Sequence, residues 1–245
     1  MTIRNAMVLA AGLGTRLRPI TDTTPKPLVA IGGKPMIDYA LDALTQAGID
    51  TIAINVHHHA GQMEQHLADY HRANILISDE RERLMDSGGG LAKGLKLLPA
   101  GPVMVMNADL FWLERPDLEQ TALEKLAGFF DSNRMDMAML CVKLEHTTGH
   151  NGKKDFNLDS DGRLARYRDG DDNPVVYAGA IAMDSRLLAD APDEPFNLNI
   201  YFDRAIAAGR LFGTMLDGEW ITVGTPDAIE AAEMTIRRFN REVAA

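Results

Sequence analysis

Three features of the 245-residue sequence predict an α/β fold built on a mostly parallel, mixed sheet flanked by helices. Short β-branched or apolar runs alternate with longer stretches of helical period through the N-terminal half, as successive strand–helix–strand units require. Past residue 145 the chain turns polar, Gly-rich and Asp-rich before apolar runs resume, so a small antiparallel excursion is expected over 145–172. The 46% hydrophobic content is enough for a substantial core, and one domain over 1–245 is the simplest organisation.

The run 6–10 reads as the first strand. Ile37, Ala40, Leu41 and Leu44 recur at helical spacing behind Pro35, and Gly48 supplies a stop, which predicts the first helix. A strand at 51–56, a helix at 61–70, a strand at 75–78, a helix at 90–98 closed by Pro99 and a buried strand at 103–106 complete a Rossmann-like set. A helix over 118–130 and a strand over 137–144 follow. Within the excursion, segments 155–158 and 164–167 flank the turn Asp159-Ser160-Asp161-Gly162, a hairpin pattern that would wall an acceptor pocket. The chain returns through a strand at 175–183, a helix at 199–208, a strand at 211–216 and a helix from Pro226 onward.

A formal charge of -10 argues against a surface made for nucleic acid, which carries clustered Lys and Arg. No run approaches the roughly 20 apolar residues of a membrane span, and the N-terminus lacks a signal-peptide pattern, so a cytoplasmic location and small-molecule partners are expected. The single cysteine, Cys141, sits in an apolar run and reads as a buried thiol, and the 13 methionines read as core filling.

Leu9-Ala10-Ala11-Gly12-Leu13-Gly14-Thr15-Arg16 follows the first strand, where an open α/β sheet presents its ligand edge. Gly12 and Gly14 permit close approach of backbone N–H groups to phosphate, and Arg16 offers a planar fork of donors; an ordinary turn remains the alternative. Leu17 stands where a dinucleotide fingerprint needs its third glycine, and the Gly-Lys-Ser/Thr of an NTPase loop is missing. In Thr24-Pro25-Lys26-Pro27-Leu28 two prolines fix the backbone around a single lysine, which would aim its ammonium group at a phosphate. Asp109 follows the buried strand 103–106, placed for a hard metal ligand or for a turn cap. Met85-Asp86-Ser87-Gly88-Gly89-Gly90 opens a helix despite the cost of three glycines, so the glycines need a compensating reason. Three adjacent histidines, His57-His58-His59, cannot all converge on one ion without an unusual backbone, and a loop near the ligand is the expectation.

Taken together, residues 9–16, Pro19, Pro25-Lys26-Pro27-Leu28, Gly32-Gly33-Lys34-Pro35-Met36, Ser87-Gly88-Gly89-Gly90, Asn107-Ala108-Asp109 and Trp220-Ile221-Thr222-Val223-Gly224-Thr225-Pro226 resemble the sugar-1-phosphate nucleotidyltransferases over nearly the whole chain. The triple glycine, the Tyr177-Ala178-Gly179 segment and the short chain look most like the family's N-acetylmuramate-1-phosphate uridylyltransferases. Mannose- or heptose-1-phosphate guanylyltransferases, a cytidylyltransferase for another phosphorylated acceptor and a non-catalytic nucleotide-sugar sensor are the alternatives. The resemblance implies attack of a sugar phosphate on the α-phosphorus of an NTP, with Mg2+ and release of pyrophosphate. It assigns the nucleotide to Leu9, Ala10, Ala11, Gly12, Gly14, Thr15, Met85, Asp86, Ser87, Gly88 and Gly89, and the chemistry to Arg16, Lys26 and Asp109. The acceptor falls to Asn107, Asp155, Asn157, Tyr177, Gly179 and Asn197, with Asn199 a further polar candidate. Before Val223 many relatives carry an aspartate as a second metal ligand, whereas this chain has Thr222, so the ion is expected on Asp109 with Thr222 reached through water. A monomer or small homo-oligomer is expected.

Overall fold

The computed structural model describes residues 2–244. Strand β1 (Asn5–Leu9) enters the centre of the sheet, and the chain then forms a hairpin of β2 (Ala30–Ile31) and β3 (Lys34–Pro35). Its two-residue turn needs positive φ twice, which Gly32 (61°) and Gly33 (83°) supply. Helix α1 (Met36–Gln46) buries Met36, Ile37, Ala40, Leu41 and Leu44 as their spacing predicts. It ends in a Schellman motif, with Gly48 left-handed, Gly48 N–H donating to Thr45 O and Ile49 N–H to Leu44 O.

There follow β4 (Thr51–Val56), α2 (Ala60–Ala68), β5 (Asn74–Asp79), α3 (Asp86–Leu95), β6 (Pro102–Asn107), β7 (Leu110–Leu113), α4 (Ala122–Phe129) and β8 (Met137–Val142). The excursion holds β9 (Thr147–Thr148), β10 (Phe156–Leu158) and β11 (Leu164–Arg166), and the chain closes with β12 (Pro174–Asp184), α5 (Asn199–Ala207), β13 (Leu211–Met215), β14 (Glu219–Thr222) and α6 (Asp227–Val243). Strands β5, β4, β1 and β6 are parallel, β12 runs antiparallel between β6 and β8, and β13 is parallel to β8. The first residues of β12 also pair with β10, so the β10–β11 hairpin grows out of the main sheet as expected. A bulge between Tyr177 and Ile181 bends β12 at Gly179, whose φ is 82° and whose Cα lies against Leu110.

Both faces of the sheet are covered, so its strands are apolar on both sides. Ala6, Val8, Met104, Met106, Ala138 and Leu140 face the cluster packed by α1, α2 and α4. Met7, Val103, Val105, Met139 and Cys141 face the side of α3 and α5. Gly94 lets α3 lie directly on the Met7 side chain. Cys141 is fully buried, and burial pushes its thiol pKa far up, leaving an inert thiol. A third cluster joins Leu17 of the glycine loop to Phe111, Ile221, Val223 and Ala228, uniting that loop with the small sheet β7–β14–β9 and with α6. Most methionines are core residues, though Met234 is exposed.

Two helix starts and one strand pairing differ from expectation for physical reasons. Helix α3 starts at Asp86, four residues before 90, and runs through the triple glycine. Helix α4 starts after 121, where Thr121 and Glu124 form a reciprocal capping box, and not at 118. The short strands β7 and β14 pair across a hundred residues, a partnership with no local signal. Among the described residues no helix is long and apolar enough to cross a membrane.

Candidate active site

The carboxyl ends of β1 and β6 lie side by side, Leu9 opposite Asn107, and the chain opens there into a cavity of about 280 Å3. Leu9, Ala10, Ala11 and Gly12 form one wall, Leu84, Asp86 and Ser87 another, and Lys26, Ala108 and Asp109 close the far end. The Pro25 and Pro27 pair does what its geometry promises: Lys26 begins a tight turn and is 8% exposed, with Nζ 2.6 Å from Asp109 Oδ2. Asp109 itself is 42% exposed on its side chain, so one face of this ion pair is open to a ligand.

Gly14 serves Lys26 before it serves a ligand. Its φ is 63°, and a Cβ there would stand 2.9 Å from Lys26 Cβ and 3.0 Å from Thr21 Cγ2. The glycine loop thus seats on the lysine stem, and Thr21 Oγ1 donates to Gly14 O at 2.8 Å. Gly14, Thr15 and Arg16 do not line the cavity; they form the next turn, anchored by fully buried Leu17. The Arg16 guanidinium lies beside Gly224, within 3.4 Å of where a side chain would begin there, and is exposed. The same 222–224 segment reaches Asp109, with Thr222 Oγ1 and Val223 N–H each 3.5 Å from the Asp109 carbonyl. That segment therefore brings Arg16, Asp109 and Thr222 into one neighbourhood.

The triple glycine is explained by packing. Gly88 and Gly89 N–H both donate to Phe196 O, at 2.9 and 3.2 Å. Any Cβ on Gly88 would overlap the Phe196 ring, one on Gly89 would sit 2.6 Å from Glu194 O, and one on Gly90 2.7 Å from Glu80 Oε1. All three glycines and Met85 are buried beneath the cavity, and of this segment only Asp86 and Ser87 line it. Asp86 is left-handed at φ 58°, an uncommon state for a non-glycine residue and one that Asp tolerates. Ser87 Oγ accepts from Leu198 N–H at 3.0 Å, tying this corner to the start of α5.

Two polar residues lining the first cavity lay outside the sequence reasoning. Asn55, 3% exposed, accepts from Ala10 N–H at 2.6 Å through Oδ1 and donates to Glu80 Oε1 at 2.7 Å through Nδ2. Glu80, 1% exposed, accepts from Met85 N–H at 3.0 Å through Oε2. This buried pair ties the glycine loop, β4, β5 and the start of α3 into one frame. A polar residue inside the apolar run of β4 was the available signal, since a buried amide demands partners.

The histidines belong to the same frame. His57 Nδ1 meets Glu80 O at 2.8 Å, His58 Nε2 meets Thr21 O at 2.9 Å and His59 Nε2 meets Asp22 O at 3.1 Å. Gln62 Nε2 donates to Thr23 O at 2.9 Å, so three consecutive carbonyls ahead of Lys26 are held by α2 and its approach.

A second cavity, about 240 Å3, adjoins the first and shares Leu9, Ser87 and Asn107 with it. Its other walls are Asp155, Phe156 and Arg166 from the hairpin, Tyr177 from β12, and Asn197, Asn199 and Phe202 around the start of α5. Burial, with Cys141, Asp109 and Asp155 nearby, pushes the Tyr177 phenol far up, so it stays protonated and able to donate. Asn157 does not line the cavity; its Oδ1 accepts from Asn173 N–H at 2.9 Å and stitches the hairpin to the head of β12. Gly179 is likewise absent from the wall and acts through the bulge.

A divalent ion finds a sparse donor set. Among the described residues no group of three or more His, Cys, Asp and Glu is placed to hold a metal. Glu219 is engaged by His146 and Arg238, at 3.2 and 2.9 Å, so it does not supply a missing carboxylate. The half-open carboxylate of Asp109 with the Thr222 hydroxyl nearby fits a Mg2+ that arrives on phosphate oxygens with its own waters.

A mostly parallel sheet with a glycine loop, a lysine–aspartate pair and two joined cavities at its carboxyl edge fits a nucleotidyltransferase, and the chain belongs to the Nucleotidyl transferase family, whose model matches residues 5–147. Within it, the chain is 41% identical to N-acetylmuramate alpha-1-phosphate uridylyltransferase of Caulobacter vibrioides, over 93% of this chain and 95% of that protein. It is 32% identical to the protein of the same name from Neisseria meningitidis, over 93% and 96%. In fold it is similar to a putative glucose-1-phosphate thymidylyltransferase from Bacillus anthracis, with a TM-score of 0.77 at 17% identity, covering 96% of this chain and 95% of that one.

Proposed function

We propose that the protein transfers a uridylyl group from UTP to N-acetylmuramic acid 1-phosphate and releases pyrophosphate. The observation that carries the reading is the pair of joined cavities, one holding the Lys26–Asp109 pair and the other walled by the hairpin and α5. The choice of base and sugar is supported by two relatives of that name that align over nearly the full length of both chains.

The nucleoside and its α-phosphate occupy the first cavity, with Asp86 and Ser87 beside the base and Ala10, Ala11 and Gly12 along the phosphates. The acceptor lies in the second cavity, its phosphate at the shared edge near Asn107. An oxygen of the sugar phosphate attacks the α-phosphorus, the new P–O bond forms, the α–β bridging P–O bond breaks, and pyrophosphate leaves with the electron pair. Lys26 stands where charge builds on the α-phosphate, and Arg16 meets the departing β- and γ-phosphates. Asp109 would hold a Mg2+ ion, which would supply neutralisation of phosphate charge there. No residue is required to carry a covalent intermediate. The proposed setting is the cytoplasm.

The test is pyrophosphate release across four NTPs and a panel of N-acetylmuramic acid, N-acetylglucosamine, mannose, heptose and glucose 1-phosphates. UTP with N-acetylmuramic acid 1-phosphate should give the highest kcat/KM. A preference for GTP with mannose 1-phosphate, or no turnover with any pair, would refute the assignment.

A further inference from the structure

We infer that Arg166 is the specificity residue of the second cavity and recognises a carboxylate borne by the acceptor sugar away from its phosphate, an inference that rests on the acceptor reading above. Among the described residues Arg166 is the only basic side chain lining that cavity. It projects from β11, with its guanidinium over the Phe156 ring, 4.9 Å from the centroid. Nε donates to Asp203 Oδ1 at 2.8 Å and Nη2 to Asn199 Oδ1 at 2.7 Å. Those bonds and the ring beneath fix the plane of the fork and leave Nη1 without a partner among the described residues.

Asp155, the acidic residue of the same wall, makes no ion pair with Arg166, and its Oδ2 accepts from Tyr177 N–H at 2.9 Å; the ion pair of Arg166 is with Asp203, through Nε at 2.8 Å, which leaves Nη1 as the donor open to a ligand. The two cavities meet at Leu9, Ser87 and Asn107, and Arg166 is not among these shared residues. With the acceptor's phosphate at the junction, Arg166 faces a substituent of the sugar ring. Hydroxyl and acetamide groups are served by neutral partners such as Asn197 and Tyr177, and gain little from an oriented guanidinium. A carboxylate gains a charge-assisted, geometrically matched contact. N-acetylmuramic acid carries such a group and N-acetylglucosamine, with the same ring and acetamide, does not.

Arg166 also ties β11 to α5, and that role alone would make its loss harm every acceptor alike. The experiment separates the two. Steady-state kinetics are measured with UTP and either N-acetylmuramic acid 1-phosphate or N-acetylglucosamine 1-phosphate, for the parent, Arg166→Met and Arg166→Lys. For the carboxylated acceptor, kcat/KM should fall roughly 10- to 100-fold in Arg166→Met, through KM. It should recover in part in Arg166→Lys, which keeps the charge and loses the fork. The KM for UTP should hold. For the acceptor without a carboxylate, kcat/KM, or its inhibition constant where turnover is too slow, should move by less than about 3-fold. Equal losses on both acceptors, or no loss on either, overturn the inference while leaving the uridylyl-transfer reading intact. A parent protein that rejects N-acetylmuramic acid 1-phosphate overturns that reading and the inference with it.

Discussion

The wall beside β1 and the wall carried by the β10–β11 hairpin are held by different means. Around the first cavity the positions are set by backbone and by groups that are almost wholly buried: Asn55 with Glu80, the glycines under Phe196 and the seat of Gly14 on Lys26. Around the second, partly exposed side chains on a three-residue strand pair and the first turn of α5 face the ligand, and their ties are polar contacts at the surface. A site for a triphosphate, common to many reactions, tolerates little movement and is built into the core. A site that chooses among sugars is built from side chains that change without disturbing the sheet.

The sharpest break of that contrast lies at Lys26. Lys26→Ala removes the cation from the first cavity and should lower kcat by about 100- to 1,000-fold, as loss of one charge-stabilising donor does. Circular dichroism should find the fold unchanged. A change below tenfold in pyrophosphate release removes Lys26 from the chemistry.

Asn55→Ala should cost both stability and nucleotide binding. It leaves Ala10 N–H and one oxygen of Glu80 without their partner, each an uncompensated buried group of about 1–3 kcal/mol. Urea denaturation should report the loss, and the KM for UTP should rise with the KM for the sugar phosphate held. Unchanged stability would show that the frame does not depend on this amide.

Gly88→Ala tests the packing account of the triple glycine. A methyl directed into the Phe196 ring and 2.9 Å from its carbonyl oxygen should destabilise by about 1–3 kcal/mol and lower Tm by several degrees. The folded enzyme's KM for UTP should change less than its Tm implies. A normal Tm with a large rise in KM would return Gly88 to direct contact with the base.

Much of the first cavity was legible because its parts are contiguous. A glycine loop after a strand and a lysine between two prolines announce their geometry in a dozen residues each, and strands apolar on both faces announce a covered sheet. What stayed hidden depends on distant partners. Asn55 and Glu80 are single polar residues 25 apart that acquire meaning only once β4 and β5 are paired. The packing of Gly88 and Gly89 against residues 194–196, and of Gly90 against Glu80 and Asn55, is not written near the triple glycine. Arg166 is one basic residue in a polar hairpin until Phe156, Asn199 and Asp203 surround it.

The smallest expected effect concerns the metal. Thr222→Asp adds a carboxylate near Asp109 and should lower the Mg2+ concentration for half-maximal rate a few-fold. An unchanged Mg2+ requirement would place Thr222 outside the ion's reach.

The division of labour between the two cavities is tested most directly by initial rates with UTP and N-acetylmuramic acid 1-phosphate both varied, for Asn55→Ala, Tyr177→Phe and the double variant. Asn55→Ala should raise the KM for UTP alone, Tyr177→Phe the KM for the sugar phosphate alone, and the two free-energy changes should add within about 0.5 kcal/mol. If Tyr177→Phe instead raises the KM for UTP, or the double variant departs from additivity by more than about 1 kcal/mol, the two walls do not hold separate substrates.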